Sequence, residues 1–142
     1  MDNVAIYNQR FQKLQREFLA IKKRLPSNRQ LKPHQQAVYD FVIHSKSSIE
    51  FEINEHVVVL YVGDEGHGFM HILIRHYCNG CDGEITSNDI LNIGNVIKND
   101  IELPSKKGRL QFIQHKDGKK YTVILKKNKK NNKLIFNFFS SH

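Results

Sequence analysis

Long apolar runs are missing from this chain. The longest, Val57–Val62, has six residues, whereas a membrane-crossing helix needs roughly 20. No span, and no membrane partner, is expected. Cysteine is nearly absent too. Cys78 and Cys81 are the two present, and they stand three positions apart in CNGC. A bond between them would close a tiny loop and stabilise little, so no disulfide framework is expected and reduced thiols should flank an Asn-Gly turn. Acidic residues are the minority, 14 against 22 Lys and Arg, for a net charge of +8. The opening MDNVAIYNQRFQKLQREF is charged throughout and carries no apolar leader core. It reads as a cytoplasmic chain, or as a toxin module detached from its delivery apparatus.

What is present suits one globular domain over residues 1–142. The length is enough to bury a core without staples, and 39% hydrophobic with 25% charged residues are ordinary globular values. The three prolines punctuate the pattern. Tyr7, Phe11, Leu14, Phe18, Ile21 and Leu25 recur at spacings of four and three, which predicts an amphipathic helix ended by Pro26. Its stripe should dock on the domain's own core, the alternative being a short coiled-coil arm. Pro33 suits the first turn of a second helix reaching about Ser45 and burying Ala37, Val38, Phe41 and Val42. Residues 1–45 thus form N-terminal helices with a connector.

SIEFEIN alternates cleanly and pairs with VVVLYV as a hairpin turning at Asn54 to His56, the second strand covered on both faces. GDEGHG reads as a flexible approach to a helix from Gly68 to Cys78. Thr86 with Asp89 three residues on forms a capping-box pattern for a fourth helix that buries Ile90, Leu91, Ile93, Val96 and Ile97. After Pro104 three strands follow, RLQFIQH, KYTVILKKN and KLIFNFFS, joined by a DG turn and the polar NKKNN turn. Helices first and a run of strands last predict an α+β fold, with helices packed on a four- to five-stranded antiparallel sheet that ends in a three-stranded meander.

The Gly68–Cys78 helix concentrates chemistry. On a wheel at about 100° per residue, Phe69, Ile72, Leu73 and His76 share one face, and His71 and Arg75 stand together on the other. His76 should point toward the sheet, and His71 with Arg75 toward a cleft or solvent. Imidazole is the group best matched to proton transfer near neutral pH, and a guanidinium can hold a phosphate. The trio therefore suits RNA cleavage by internal transesterification without metal. Taken alone, these residues also fit a satisfied core histidine and an ordinary surface pair. A zinc reading draws on His67, His71, His76, Cys78 and Cys81, but the spacing supplies only half a site, so no metal or other cofactor is expected. Redox CxxC chemistry lacks a thioredoxin-like βαβ context.

Residues 116–133 hold eight lysines against the single Asp117. That asymmetry points to a polyanion, the bland alternative being a solvated hairpin whose lysines blunt a sheet edge. Lys119, Lys120, Lys126, Lys127, Lys129 and Lys130 are the candidate nucleic-acid contacts, with Tyr121, Phe136, Phe138 and Phe139 for stacking where they are not part of the core.

Taken together, HILIRH, the capped helix ITSNDILNIGNVIKN, the strands GRLQFIQHKDGKKYTVIL and the final LIFNFFSS resemble the phage-associated members of the barnase, EndoU, colicin and RelE-like (BECR) nuclease superfamily. The resemblance covers residues 68–141 as a nuclease-like core. It implies helices preceding a four-stranded antiparallel sheet, and metal-free RNA cleavage. By position it assigns catalytic roles to His71 and His76, with Arg75 between them, to Arg109 opening the meander, and to the hydroxyl of Ser140 or Ser141. FNFFSSH departs from the family in having no basic residue near its end, so Arg75, Arg109 or Lys120 would supply that charge. The resemblance further implies tRNA or another structured RNA as substrate, and an acidic immunity or antitoxin protein as partner. Two other classes stay open: a non-catalytic nucleic-acid-binding module, and a protein-interaction domain using the N-terminal amphipathic helix.

Overall fold

The computed structural model describes residues 2–99, 102–104, 108–130 and 132–142, with only the backbone described at 102–104. The first helix, α1, runs Asn3–Arg24. Asp2 caps it by accepting from the Ala5 N–H at 2.8 Å, and Lys22, Lys23 and Arg24 oppose the dipole at its other end. Leu25 is extended, as the residue before a proline must be. Tyr7, Leu14 and Phe18 are buried and Phe11 and Ile21 pack beside them, so the stripe docks on the chain's own core.

The second helix, α2, spans Pro33–Ile43 and buries Val38, Tyr39, Phe41 and Val42. Ala37 is only partly covered. Strands β1 (Ser48–Ile53) and β2 (His56–Tyr61) form the expected hairpin. Asn54 and Glu55 both take positive φ, and Ile53 pairs with His56, so the turn has two residues rather than three. The strand β2 is not covered on both sides. Val58 and Leu60 are buried while Val57 is 37% exposed, the alternation of a sheet with one covered face.

Three helices follow: α3 (Gly68–His76), α4 (Ser87–Leu91) and α5 (Ile93–Lys98). The capping box of Thr86 and Asp89 is formed in both directions. One expected helix is thus two, broken at Asn92, yet Ile90, Leu91, Ile93, Val96 and Ile97 are all buried. Gly94 is there for close packing. A Cβ at that position would come within 2.5 Å of both the His34 ring and Ile53.

A strand the sequence pattern did not reveal, β3 (Glu102–Pro104), then opens the far edge of the sheet. From it β4 (Arg109–Lys116), β5 (Lys119–Lys127) and β6 (Lys133–Ser141) return as the expected antiparallel meander. Asp117 and Gly118 make the tight turn with positive φ. Of the NKKNN turn, Asn131 lies outside the described residues. The sheet is six-stranded, in the order β1-β2-β6-β5-β4-β3. The expectation of a wholly antiparallel sheet of four or five strands is corrected at one seam, because β6 runs parallel to β2. The three helices carry the chain across the sheet to its far edge, and the meander brings it back to β2 in the same direction.

The core lies between the sheet and the helices. Phe69 meets Phe41 edge-on at 5.1 Å, and Phe18 stacks on Tyr39 at 6.1 Å. Burying each such ring stabilises by roughly 1.5–3 kcal/mol. The cysteines depart from expectation. Cys78 and Cys81 are joined, the Asn79-Gly80 turn bringing their Cα atoms to 5.8 Å, a separation a disulfide spans.

Candidate functional site

Cross-strand partners share a face of a sheet, so the register sorts the meander. Phe112, Val123 and Phe138 align, as do Leu110, Leu125 and Ile135, and the helices cover these residues. The opposite face carries Arg109 paired with Lys126, Lys126 paired with Leu134, and Lys120 paired with Ser141. A bulge lies in β6 opposite Ile124 and Leu125. One extra residue there turns Phe136 to the open face, where the Arg109 guanidinium lies 4.3 Å and the Lys126 ammonium 5.7 Å from its ring centre.

Helix α3 lies beside the second half of β6. At its start His67 stacks on Phe136, with ring centres 5.4 Å apart, and at its end His76 meets Phe139 at 5.7 Å. The segment before it is built rather than flexible. Asp64 Oδ1 accepts the Gly66 and His67 N–H groups, and Gly63 and Gly68 take positive φ where a Cβ would strike backbone or the Tyr61 ring. Met70 N–H donates to the Val62 carbonyl, tying the helix to β2. At the other end the Arg10 guanidinium donates to the carbonyls of Leu73 and Ile74.

The wheel sets His71 and His76 on different faces, yet their rings stand 5.9 Å apart, edge to face. His76 is the last helical residue, and its ring swings to meet the loop that follows. A carbonyl oxygen only accepts, so each contact assigns a tautomer. Nδ1–H of His71 donates to the Glu65 carbonyl at 2.7 Å, and Nδ1–H of His76 donates to the Asp82 carbonyl at 2.9 Å. Both rings therefore leave Nε2 as the free nitrogen, a lone pair in the neutral ring and an N–H in the protonated one. Burial first, and then His71 and Arg75, hold the His76 pKa below the ordinary imidazole value, against the pull of the Asp82 carbonyl.

The other expected site residues divide. Arg75 is exposed on the last turn of α3. Arg109, Lys120 and Lys126 share the open face, and Lys127 and Lys129 line a cavity beside Phe136. Ser140 is turned away. It is buried on the helix side, its hydroxyl donating to the Glu84 carbonyl and its N–H to the Gly83 carbonyl. Ser141, next along the strand, has the open-face parity instead. Lys119 borders Ser140 and Cys81 in a separate hollow, and Lys130 is exposed in the turn. Tyr121 is no stacking platform. It is buried beside Phe138, and burial with the nearby Asp89 raises its pKa.

Sequence reasoning passed over Tyr61 and Asp64 as site residues; of the aromatics expected to stack, Phe136 and Phe139 meet the histidines of this region, and Phe138 is buried in the core. The Asp64 carboxylate lies 3.3 Å from His67 Nε2, and the Tyr61 hydroxyl donates to His67 Nδ1 at 2.8 Å. The Asp64 pKa is lowered, chiefly by the Gly66 N–H, so the carboxylate stays charged. Tyr61 is pushed up to about 12 by burial and by Asp64, which keeps it a donor. An acidic residue three before a histidine was the available signal. Tyr61, His67, Leu134, Phe136 and residues 126–129 line an open cavity of about 360 Å³. Among the described residues no three His, Cys, Asp or Glu side chains gather at metal-ligand spacing, and none of the helices is long and apolar enough to cross a membrane. Comparison with protein-family models, curated proteins and solved structures finds no match in any of the three.

Proposed function

We propose that this chain is an endoribonuclease that cleaves RNA by attack of the 2'-hydroxyl on the adjacent phosphate, without a metal. The observation that carries the reading is the histidine pair. Two imidazoles stand 5.9 Å apart with Nδ1 of each anchored to a backbone carbonyl, which leaves two Nε2 atoms for proton transfer. His76, held neutral by its lowered pKa, takes the 2'-hydroxyl proton. The oxygen attacks phosphorus, the 5'-oxygen leaves with the Nε2 proton of His71 in its imidazolium form, and a 2',3'-cyclic phosphate results. Arg75 stands next to His76 in sequence and one turn from His71, a position suited to steadying the charge on phosphorus. Lys120, Lys126 and Arg109 supply the cationic face along which a strand would run. An acidic immunity protein would compete for the same face.

The test is incubation with total RNA in excess chelator, beside a His71→Ala, His76→Ala double variant. Cyclic-phosphate ends formed by the parent and lost in the double variant support the enzyme. Tight binding with no cleavage by the parent leaves a non-catalytic RNA-binding module. That second reading is favoured by one observation, the engagement of Ser140 with Glu84 and away from the histidines.

A further inference from the structure

We infer that the cavity between α3 and the β5–β6 corner is a one-nucleotide subsite, which seats the base beside the bond to be cut. This inference rests on the RNA reading above and adds where the strand is gripped. The cavity, about 360 Å³, has a floor of Leu134, Phe136 and the ring of Tyr61, and a rim of Lys126, Lys127 and Lys129. Its size falls in the range of small-ligand sites. An apolar floor under a cationic rim matches a nucleotide, whose base is flat and apolar on its faces and whose phosphate is anionic. The rim has no carboxylate among the described residues; that of Asp64 is engaged by Gly66 and His67. Arg109 reaches across β5 from β4 and is held over the Phe136 ring, so a planar cation already waits for phosphate oxygens beside the aromatic side chain.

Position along α3 sets the register of the strand. His67 lines the cavity, and His71, one helical turn on, opens the histidine pair. One turn advances about 5.4 Å, a length comparable with one nucleotide step of an extended single strand. A nucleotide seated at His67 and Phe136 therefore presents its neighbouring phosphodiester to His71 and His76. Two features the mechanism leaves unused acquire a role: the bulge in β6, which turns Phe136 outward, and the Asp64–His67–Tyr61 chain, which fixes the wall of the cavity.

The experiment is titration of the full chain with adenosine 5'-monophosphate, adenosine and inorganic phosphate at low salt. Binding is followed by calorimetry and by the ring resonances of His67 and Phe136, and RNA cleavage is measured in parallel. The monophosphate should bind more tightly than either part and shift those rings. Arg109→Met should weaken it by about tenfold, the worth of one charge-assisted contact, and Phe136→Leu should bring its affinity down to that of inorganic phosphate. Since Phe136 is half-buried, the Arg109 variant, which removes the guanidinium over that ring and keeps its length, guards against a folding artefact. Monophosphate binding no tighter than inorganic phosphate, or unchanged in both variants, overturns the subsite even where RNA is cleaved. Binding as expected with no cleavage of RNA supports the subsite and removes the nuclease.

Discussion

The meander has two faces made from the same three strands. Beneath the helices lie Phe112, Val123, Leu125, Ile135 and Phe138, all nearly inaccessible; across the sheet stand Arg109, Lys120, Lys126 and Phe136, partly or fully open. Neighbours one residue apart in sequence thus belong to different chemical worlds, because strand periodicity is two. The open face is not uniformly polar. Ile113 and Thr122 in its middle are buried, and the Thr122 hydroxyl lacks a partner among the described residues. Burial is concentrated on one side and cationic side chains on the other, so on the proposed function stability and cleavage should respond separately to substitution.

The largest separation is expected at the extremes of the comparison. His71→Ala or His76→Ala should cost about 10²- to 10⁴-fold in cleavage rate, the usual worth of a general acid or base, with little change in the thermal midpoint. Phe138→Ala on the covered face should lower unfolding free energy by roughly 3–5 kcal/mol, measured by denaturant titration. If either class moves both readouts equally, the division of labour between the faces fails.

Gly94→Ala sharpens the covered side. The added methyl meets His34 and Ile53 at 2.5 Å and should destabilise by about 1–3 kcal/mol. A smaller effect is expected from pH. His34, chiefly through burial and then through Lys32 and Lys98, and His76 both have lowered pKa values, so the folded chain binds fewer protons than the unfolded one. Their contribution is complete above about pH 6.5 and is lost as pH falls through the depressed values, at no more than about 1.4 kcal/mol per pH unit for each. Denaturant midpoints at pH 5 and 7.5 check this, and His34→Leu should flatten the difference. The smallest effect belongs to Lys126→Ala, which should leave stability within about 0.5 kcal/mol and reduce the salt slope of RNA binding by about 1.

Local signals carried far in this chain. The three-four spacing of α1, the Thr86 capping box, the Asp117-Gly118 turn and the alternation of β4 to β6 each report a preference satisfied within a few residues. The strand β3 escaped because three residues ending in proline have no periodicity to read. In the site, the residue types on α3 were legible, but their arrangement was not. Ser140 and Ser141 look equivalent in sequence, and only the register of β6 against β5 turns the first inward to Glu84 and leaves the second on the open face.

From the sequence alone come the helices, the meander, the lysine-rich turn region and the histidines of α3, since all follow from nearest-neighbour geometry and charge. Tertiary structure alone decided the parallel seam of β6 with β2, the Cys78–Cys81 bond, the outward turn of Phe136 and the meeting of His71 with His76. The disulfide depends on the turn that Asn79 and Gly80 actually take, and the others on where a distant segment or a single extra residue places a backbone. Periodicity tells which side chains share a face; it does not tell what covers that face, and the chemistry of this site rests on the answer.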